Sequence, residues 1–467
     1  MLCIRCRGHL WVAAACAGVL LGQAVGRQAA QGQEAGRRVD PQAFGFDLPA
    51  GEVRPGGREA VNTRDEAGEP TVGRVHVRVG EHAIVLLPDG QLVARRAGEF
   101  SPCERKFEAL SKNALAARLA GEFPGFKTHA ANHFVYAFNG SEEYVLAAGR
   151  ILETMLPGVK GYPELSKLGV QGPEFPLVVV VFRTEAEFRR HRRLPPGAVA
   201  YYDPVSNRVY MYEESALDRV RPDLAIKQSI TTIAHEGAHQ ILHNIGVQQR
   251  LSVWPMWLSE GLAEYFAPTS TGEKLRWKGA GQINDLRMFE LSEYFERREE
   301  AADGEMLQQT VLAARLNSTG YASAWALTHY LAKNRRSEFL ALIREASQLD
   351  PLEGRLEAGP IVRENLAQFE RHFGDNLAGL ERRLIAYLKK QPYANPFEHL
   401  PHYVATLEAD SERSVATFRS RAEAAAWLRE ASAKLPADKR SGARAQVRDF
   451  PNRMLAEAFV RGWRKSK

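Results

Sequence analysis

Apolar positions change their period several times along the chain, and each change marks an element. Val75, Val77 and Val79 alternate with His76 and Arg78, the period-two pattern of a half-buried strand. Residues 83–87 predict a second strand, Pro88-Asp89-Gly90 a tight turn and 91–95 a third strand, so 71–100 read as a small β-meander. A helix is expected over 104–120, a strand over 133–138 and an amphipathic helix over 142–155. Residues 177–182 (LVVVVF) form an unbroken, mostly β-branched run, as in a central strand buried on both faces. Thr184 can cap a short helix over 185–191. Residues 198–202 and 208–212 flank Asp203-Pro204-Val205-Ser206-Asn207 and predict a hairpin. From 223 to 390 the pattern is mostly helical. Beyond 400 it predicts strands at 403–407 and 414–418, then helices near 420–434 and 450–463. No internal repeat is visible, and the whole reads as α+β.

Composition adds bounds. The chain has 467 residues, 45% hydrophobic and 25% charged, which excludes wholesale disorder and collagen-like structure. Its length allows about two to three domains. The 62 basic residues against 56 acidic give +6, a mild excess with dispersed arginines such as Arg189, Arg190, Arg192 and Arg193. That is no concentrated basic stripe, so a nucleic-acid partner is not expected. No apolar run reaches the roughly 20 residues of a membrane-spanning helix. Residues 1–25 read as an export signal: Arg5 and Arg7 precede the apolar 10–21, followed by the small Gly22 and Ala24. An uncleaved N-terminal anchor is the alternative. Lipid attachment at Cys16 is disfavoured by the preceding Ala13-Ala14-Ala15. Cys3, Cys6 and Cys16 lie inside this segment, leaving Cys103 alone in an exported, periplasmic or extracellular chain without an internal disulfide. Residues 26–70, rich in Gly, Arg, Glu, Gln and Pro, are expected to be a flexible linker. The division expected is then 104–390 as the central domain and 391–467 as a C-terminal α/β region.

The chemistry concentrates in Thr231-Thr232-Ile233-Ala234-His235-Glu236-Gly237-Ala238-His239-Gln240. Leu224, Ile226, Ile230, Ile233, Ile241 and Ile245 recur at helical spacing around it, with Asp223 and Gly246 as candidate caps. His235 and His239 are then one turn apart on one face and can bind a single Zn²⁺, while Glu236 falls beside the metal's open position. Leu242 and Ile245 stand where an extended three-histidine pattern would need Gly and His. His243, one turn further, reads as a neighbour of the site or an ordinary core-edge histidine. A second helix follows around Trp257-Leu258-Ser259-Glu260-Gly261-Leu262-Ala263-Glu264-Tyr265-Phe266, with Pro255 suited to its first turn and Pro268 ending it. Glu260 and Glu264 share a face of a helix too apolar to lie on the surface, and buried carboxylates need a partner. Glu260 is the candidate third ligand, and Glu264 the candidate holder of a ligand histidine's other N–H. Gly261 is expected to let the two motif helices approach closely.

These two motifs together resemble the gluzincin zinc metallopeptidases, in particular the peptidase MA-like family of bacterial extracytoplasmic proteins, over about residues 130–390. The resemblance implies a zincin-like core, a small mixed sheet with an edge hairpin plus a helical subdomain. It implies His235, His239 and Glu260 as zinc ligands and Glu236 as general base for peptide-bond hydrolysis. It further implies a tyrosine at the head of a later helix as oxyanion donor, for which Tyr321 is the candidate, and an edge strand beside the cleft, with Tyr201 or Tyr202 facing substrate. The expected partner is a peptide or protein substrate. A zinc hydrolase acting on another amide or ester, and a zinc-binding protein without turnover, are the competing readings.

Overall fold

The computed structural model of the protein describes residues 38–194, 198–214, 222–270, 276–298, 302–352, 358–393, 395, 402–409, 412–440, 442–450 and 453–465. The expected export signal, its cysteines and residues 26–37 of the expected linker lie outside the described residues. The fold is mixed α+β. The chain divides into two compact units, the larger ending at Gln391 and the smaller lying within 392–467.

The larger unit opens with a seven-stranded antiparallel sheet. Its strands are β1 (Arg38–Val39), β2 (Gly51–Pro55), β3 (Ala60–Arg64), β4 (Pro70–Val79), β5 (His82–Leu86), β6 (Leu92–Arg95) and β7 (Ser101–Pro102). The meander is there, and the long β4 carries its inward valines at 75, 77 and 79. Residues 38–64 depart from the expected linker: β2 and β3 pair with β4, and β1 pairs with β2. These strands are short, and apart from Val61 and Thr63 their described side chains are exposed or half-buried. Their order comes from ladder hydrogen bonds to β4, which leave little hydrophobic pattern to read. Phe44, Phe46 and Leu48 plug the core of Val77 and Val79, joined there by Phe175, Leu251 and Leu352 from later in the chain, while a bulge after Val75 sets that valine against Val61 and Val85. Arg250 adds a polar tie, its buried guanidinium donating to the carbonyls of Gly90 at 2.7 Å, Pro204 at 2.6 Å and Val205 at 2.7 Å.

A second, mixed sheet follows, built from α1 (Lys112–Glu122), β8 (Lys127–Ala130), β9 (Phe134–Phe138), α2 (Glu142–Lys160), α3 (Pro163–Ser166), β10 (Leu177–Phe182), α4 (Glu185–His191), β11 (Ala200–Asp203) and β12 (Arg208–Tyr212). The first of these helices starts later than expected because Ser111 caps it, accepting from the Ala114 N–H. Thr184 and Glu187 form a reciprocal capping box at α4. Strand order is β11-β12-β10-β9-β8, with β9, β10 and β12 parallel and both edges antiparallel. The all-apolar β10 is central and fully buried. One face packs Leu115, Leu119, Phe123 and Phe188 of the preceding helical segments. The other is covered by α2 and by α5 (Pro222–Asn244).

That long helix begins at Pro222, ahead of Asp223. It ends as expected at Gly246, whose φ of +85° allows Val247 N–H to reach back to the Leu242 carbonyl. Gly237 lies against α2, where a Cβ would strike Leu152. The remainder of the unit is α6 (Met256–Phe266), the short pair β13 (Thr269–Ser270) and β14 (Arg276–Trp277), α7 (Asp285–Arg298), α8 (Glu305–Leu312), α9 (Ser318–Asn334), α10 (Arg336–Ser347), α11 (Ala358–Phe373) and α12 (Leu377–Leu388). Residues 321–332 of α9 are buried without a break, so this helix is the axis of the subdomain. Gly261 corrects one expectation. A Cβ there would lie 2.8 Å from the Ala324 carbonyl, so the glycine lets α6 approach α9 and not the histidine helix.

The smaller unit has β15 (His402–Ala409), β16 (Glu412–Phe418), α13 (Arg421–Ala433), α14 (Ala437–Arg440), β17 (Arg444–Phe450) and α15 (Arg453–Lys465). Its antiparallel sheet has the order β16-β15-β17. The edge strand β17 was not expected, because five of its seven residues are exposed and no apolar alternation marks it.

Two outcomes follow from the packing. Arg250→Met would strand the carbonyls of Gly90 and Pro204, while that of Val205 keeps the Leu92 N–H, and should cost about 2–4 kcal/mol, read as a lower thermal midpoint. His329 of α9 is 2% exposed, and burial pushes its pKa down to about 4, partly opposed by the Gly281 carbonyl 3.2 Å from Nε2. A ring neutral in the fold but protonated when unfolded gives stability that is complete above pH ~6.5 and drains away as pH falls toward 4. At pH 5 the loss is about 2 kcal/mol. The stability difference between pH 7 and pH 5 should shrink by that amount in His329→Gln, measured by denaturant titration.

Candidate metal centre

The helical repeat of α5 stacks His235 and His239 on one face. Their Nε2 atoms lie 3.2 Å apart. The adjacent α6 brings Glu260 Oε2 to 3.1 Å from His235 Nε2 and 3.3 Å from His239 Nε2. A tetrahedral ion with bonds of about 2.0–2.1 Å requires ligand atoms roughly 3.3–3.4 Å apart, so the triangle fits a small dication. Among the described residues this is the group of three ligating side chains that could hold a metal ion. His235 and Glu260 are buried, while His239 keeps 12% of its side chain accessible, so that ligand faces the way in.

The surroundings favour the ligating forms. Burial alone would raise the Glu260 pKa, but the two imidazoles outweigh it and hold the carboxyl well below the usual range. Glu264, one turn on, has Oε1 3.1 Å from His235 Nδ1. A carboxylate there draws the ring proton to Nδ1 and leaves the Nε2 lone pair for a metal. Burial again opposes ionisation at Glu264, but Arg287 and His235 pull it down to about 2. Arg287 lies 2.5 Å from Glu264 and 2.9 Å from Glu290, and Asn284 donates to the other Glu264 oxygen at 3.0 Å. Glu290 in turn accepts from Ser318 at the first turn of α9 at 2.8 Å. This chain of contacts from α5 through α6 and α7 to α9 was not foreseen. Arg287 and Glu290, three residues apart on a charged helix, look in the sequence like an ordinary surface pair.

Glu236 lies beside the triangle and is 2% exposed. Its Oε2 accepts the backbone N–H of Tyr202 on the edge strand β11 at 2.8 Å, and its Oε1 is buried with no hydrogen-bond partner among the described residues. Burial raises its pKa, with the nearby imidazoles pulling the other way. A buried carboxylate oxygen without a partner is costly, and it suits a site that takes up a proton-bearing group.

The tyrosines divide. Tyr321, in the first turn of α9, sets its ring edge-on to His235 with centroids 6.0 Å apart, and the Arg287 guanidinium lies over it at 5.5 Å. Tyr201 points to the opposite face of the sheet, stacked on Tyr210 among Leu115, Leu119 and Phe188, so its phenol is away from the metal side. The Tyr202 ring packs against His243, and its hydroxyl donates to Asn207 at 2.8 Å. The part of Tyr202 that reaches the site is its backbone amide. His243 is not among the converging ligands, and burial pushes its pKa down to about 3.

Residues 229–353 match a family described as a protein of unknown function (DUF1570). The match takes in both glutamate- and histidine-bearing helices and α7 to α10. It covers roughly a quarter of the chain, so it is a likeness of this segment. No curated protein matches the chain. No helix among the described residues is long and apolar enough to cross a membrane.

The ligand assignment has a direct consequence. Glu260→Ala should lower bound metal from one per chain to a small fraction after dialysis, while Glu264→Gln should weaken affinity about 10–100-fold. Both are read by elemental analysis against a competing chelator. Full occupancy in Glu260→Ala would refute the assignment.

Proposed function

We propose that the protein is an exported zinc-dependent metallopeptidase of the gluzincin type. The observation that carries this reading is the pairing of the His235–His239–Glu260 triangle with a buried carboxylate, Glu236, that has one oxygen anchored and one without a partner. A purely structural metal site has no use for such a neighbour. Two nitrogens and one carboxylate oxygen are the donor set of hydrolytic zinc sites, which leave a coordination position open. Zinc, when bound, would act as a Lewis acid on a scissile carbonyl and acidify a water molecule.

The chain's own residues do the rest. The Tyr202 amide fixes Glu236 through Oε2, leaving Oε1 to take a proton from the attacking water and to hand it to the leaving amine. Glu264, itself held by Arg287 and Asn284, keeps the His235 proton on Nδ1. Tyr321, at the head of α9 with its ring edge-on to His235, would donate to the developing oxyanion. As the edge strand of its sheet beside Glu236, β11 suits an extended peptide docking as an added strand.

Glu236→Gln separates the roles. It should retain stoichiometric zinc and an unchanged melting curve, while cleavage of a peptide library falls by at least about a thousandfold. Wild-type cleavage should stop with a chelator and return with Zn²⁺. Undiminished cleavage by Glu236→Gln would refute the proposed base, and a zinc-loaded wild type that cleaves no peptide would refute the peptidase reading.

A further inference from the structure

The charge of this protein is not evenly distributed. Residues 401–467 contain 14 Lys and Arg against 8 Asp and Glu, the whole of the +6 carried by the chain, and everything before them is balanced. These residues fold as the smaller compact unit.

Within that unit the pairing register puts the excess on one face. Glu408 stands opposite Arg413 on β16 and Arg444 on β17, and Val404 stands opposite Arg448. Side chains directly opposite one another share a face, so among the described strand residues three arginines and a single carboxylate lie on the same side of the sheet. That carboxylate is engaged by Arg413 at 2.9 Å. Arg444 and Arg448 are exposed and have no carboxylate partner among the described residues. The face is also braced. The amphipathic α15 sets Trp463 beneath the Arg413 guanidinium at 4.0 Å and Phe459 beneath that of Arg448 at 5.0 Å. Arg448 Nε also donates to Gln446 at 3.1 Å, and an arginine held flat on an aromatic ring loses less side-chain entropy when it meets an anion.

We propose that this face of the C-terminal unit is a docking surface for a linear acidic polysaccharide, binding through its repeated sulfate or carboxylate groups. The alternatives fit less well. The aromatic rings that could stack on nucleobases are already occupied by arginines. The α15 helix packs on the sheet with Ala456 buried and Phe459 and Trp463 half-buried, and among its described side chains Leu455 is the one exposed large apolar group, too little to enter a bilayer.

The test uses the full chain and heparin as the probe. Wild-type protein should bind at low salt with an affinity that falls steeply as salt rises. Arg444→Glu with Arg448→Glu should lower affinity at least tenfold and make the log–log salt slope shallower by about 2, with bound zinc unchanged. The pair Arg190→Glu and Arg193→Glu, exposed arginines of the larger unit, changes net charge equally and should leave heparin binding as it was. If the double reversal disturbs folding of the unit by circular dichroism, Arg444→Gln with Arg448→Gln should give the same direction of change. The proposal is overturned if wild type does not bind heparin, if the β17 variants bind like wild type, or if the control pair weakens binding equally. Tighter binding to an oligothymidylate or to anionic phospholipid vesicles than to heparin would overturn it as well.

Discussion

Two imidazole nitrogens and a carboxylate oxygen share a buried triangle about 3 Å on a side, which a bridging proton or a bound cation can hold together. Each presents electron density to the same point, and water is largely excluded from their surroundings. The arrangement of the larger unit follows from meeting that constraint. The α5 helix supplies two corners at one-turn spacing, α6 the third, and α9 closes against α6 through the gap left at Gly261. Glu264, held by Arg287, sets its carboxylate 3.1 Å from His235 Nδ1. A cation-binding geometry is thus held in place by neutralising pairs that are themselves buried. Such pairs specify an arrangement more than they stabilise it.

The mixed sheet acts as the other jaw. Its parallel centre, closed by the all-apolar β10, leaves β11 as an antiparallel edge beside α5. That strand reaches Glu236 through a backbone amide, a contact that any residue except proline could make at position 202. The site therefore joins side chains chosen for their chemistry to a main-chain donor chosen by topology. The N-terminal sheet is bound to the same body through Phe175, Leu251, Leu352 and the three carbonyls that Arg250 holds.

The C-terminal unit uses charge differently. Its arginines stand on rings at the surface, whereas Arg287 is buried between two glutamates. One arrangement orients groups inside a site. The other lays guanidinium groups flat on Trp463 and Phe459.

The sequence by itself determined the elements whose patterns are local. His235, Glu236 and His239 share a helix, Glu260 and Glu264 share the next, and β10 is central because six apolar residues in a row can only be buried. Turn and capping chemistry at Pro88–Gly90, Thr184 and Gly246 was equally legible, since those preferences act within a few residues. Tertiary structure alone decided the rest. Whether Glu260 meets the histidines depends on helix packing across 21 residues, and Arg287 reads as a surface cation until α6 and α9 close around it. Residues 38–64 and β17 are strands because neighbours accept their backbone hydrogen bonds, and backbone groups are the same in every sequence. Tyr201 and Tyr202 differ for a similar reason: alternation places adjacent side chains on opposite faces, but only the assembled sheet says which face meets the metal helix.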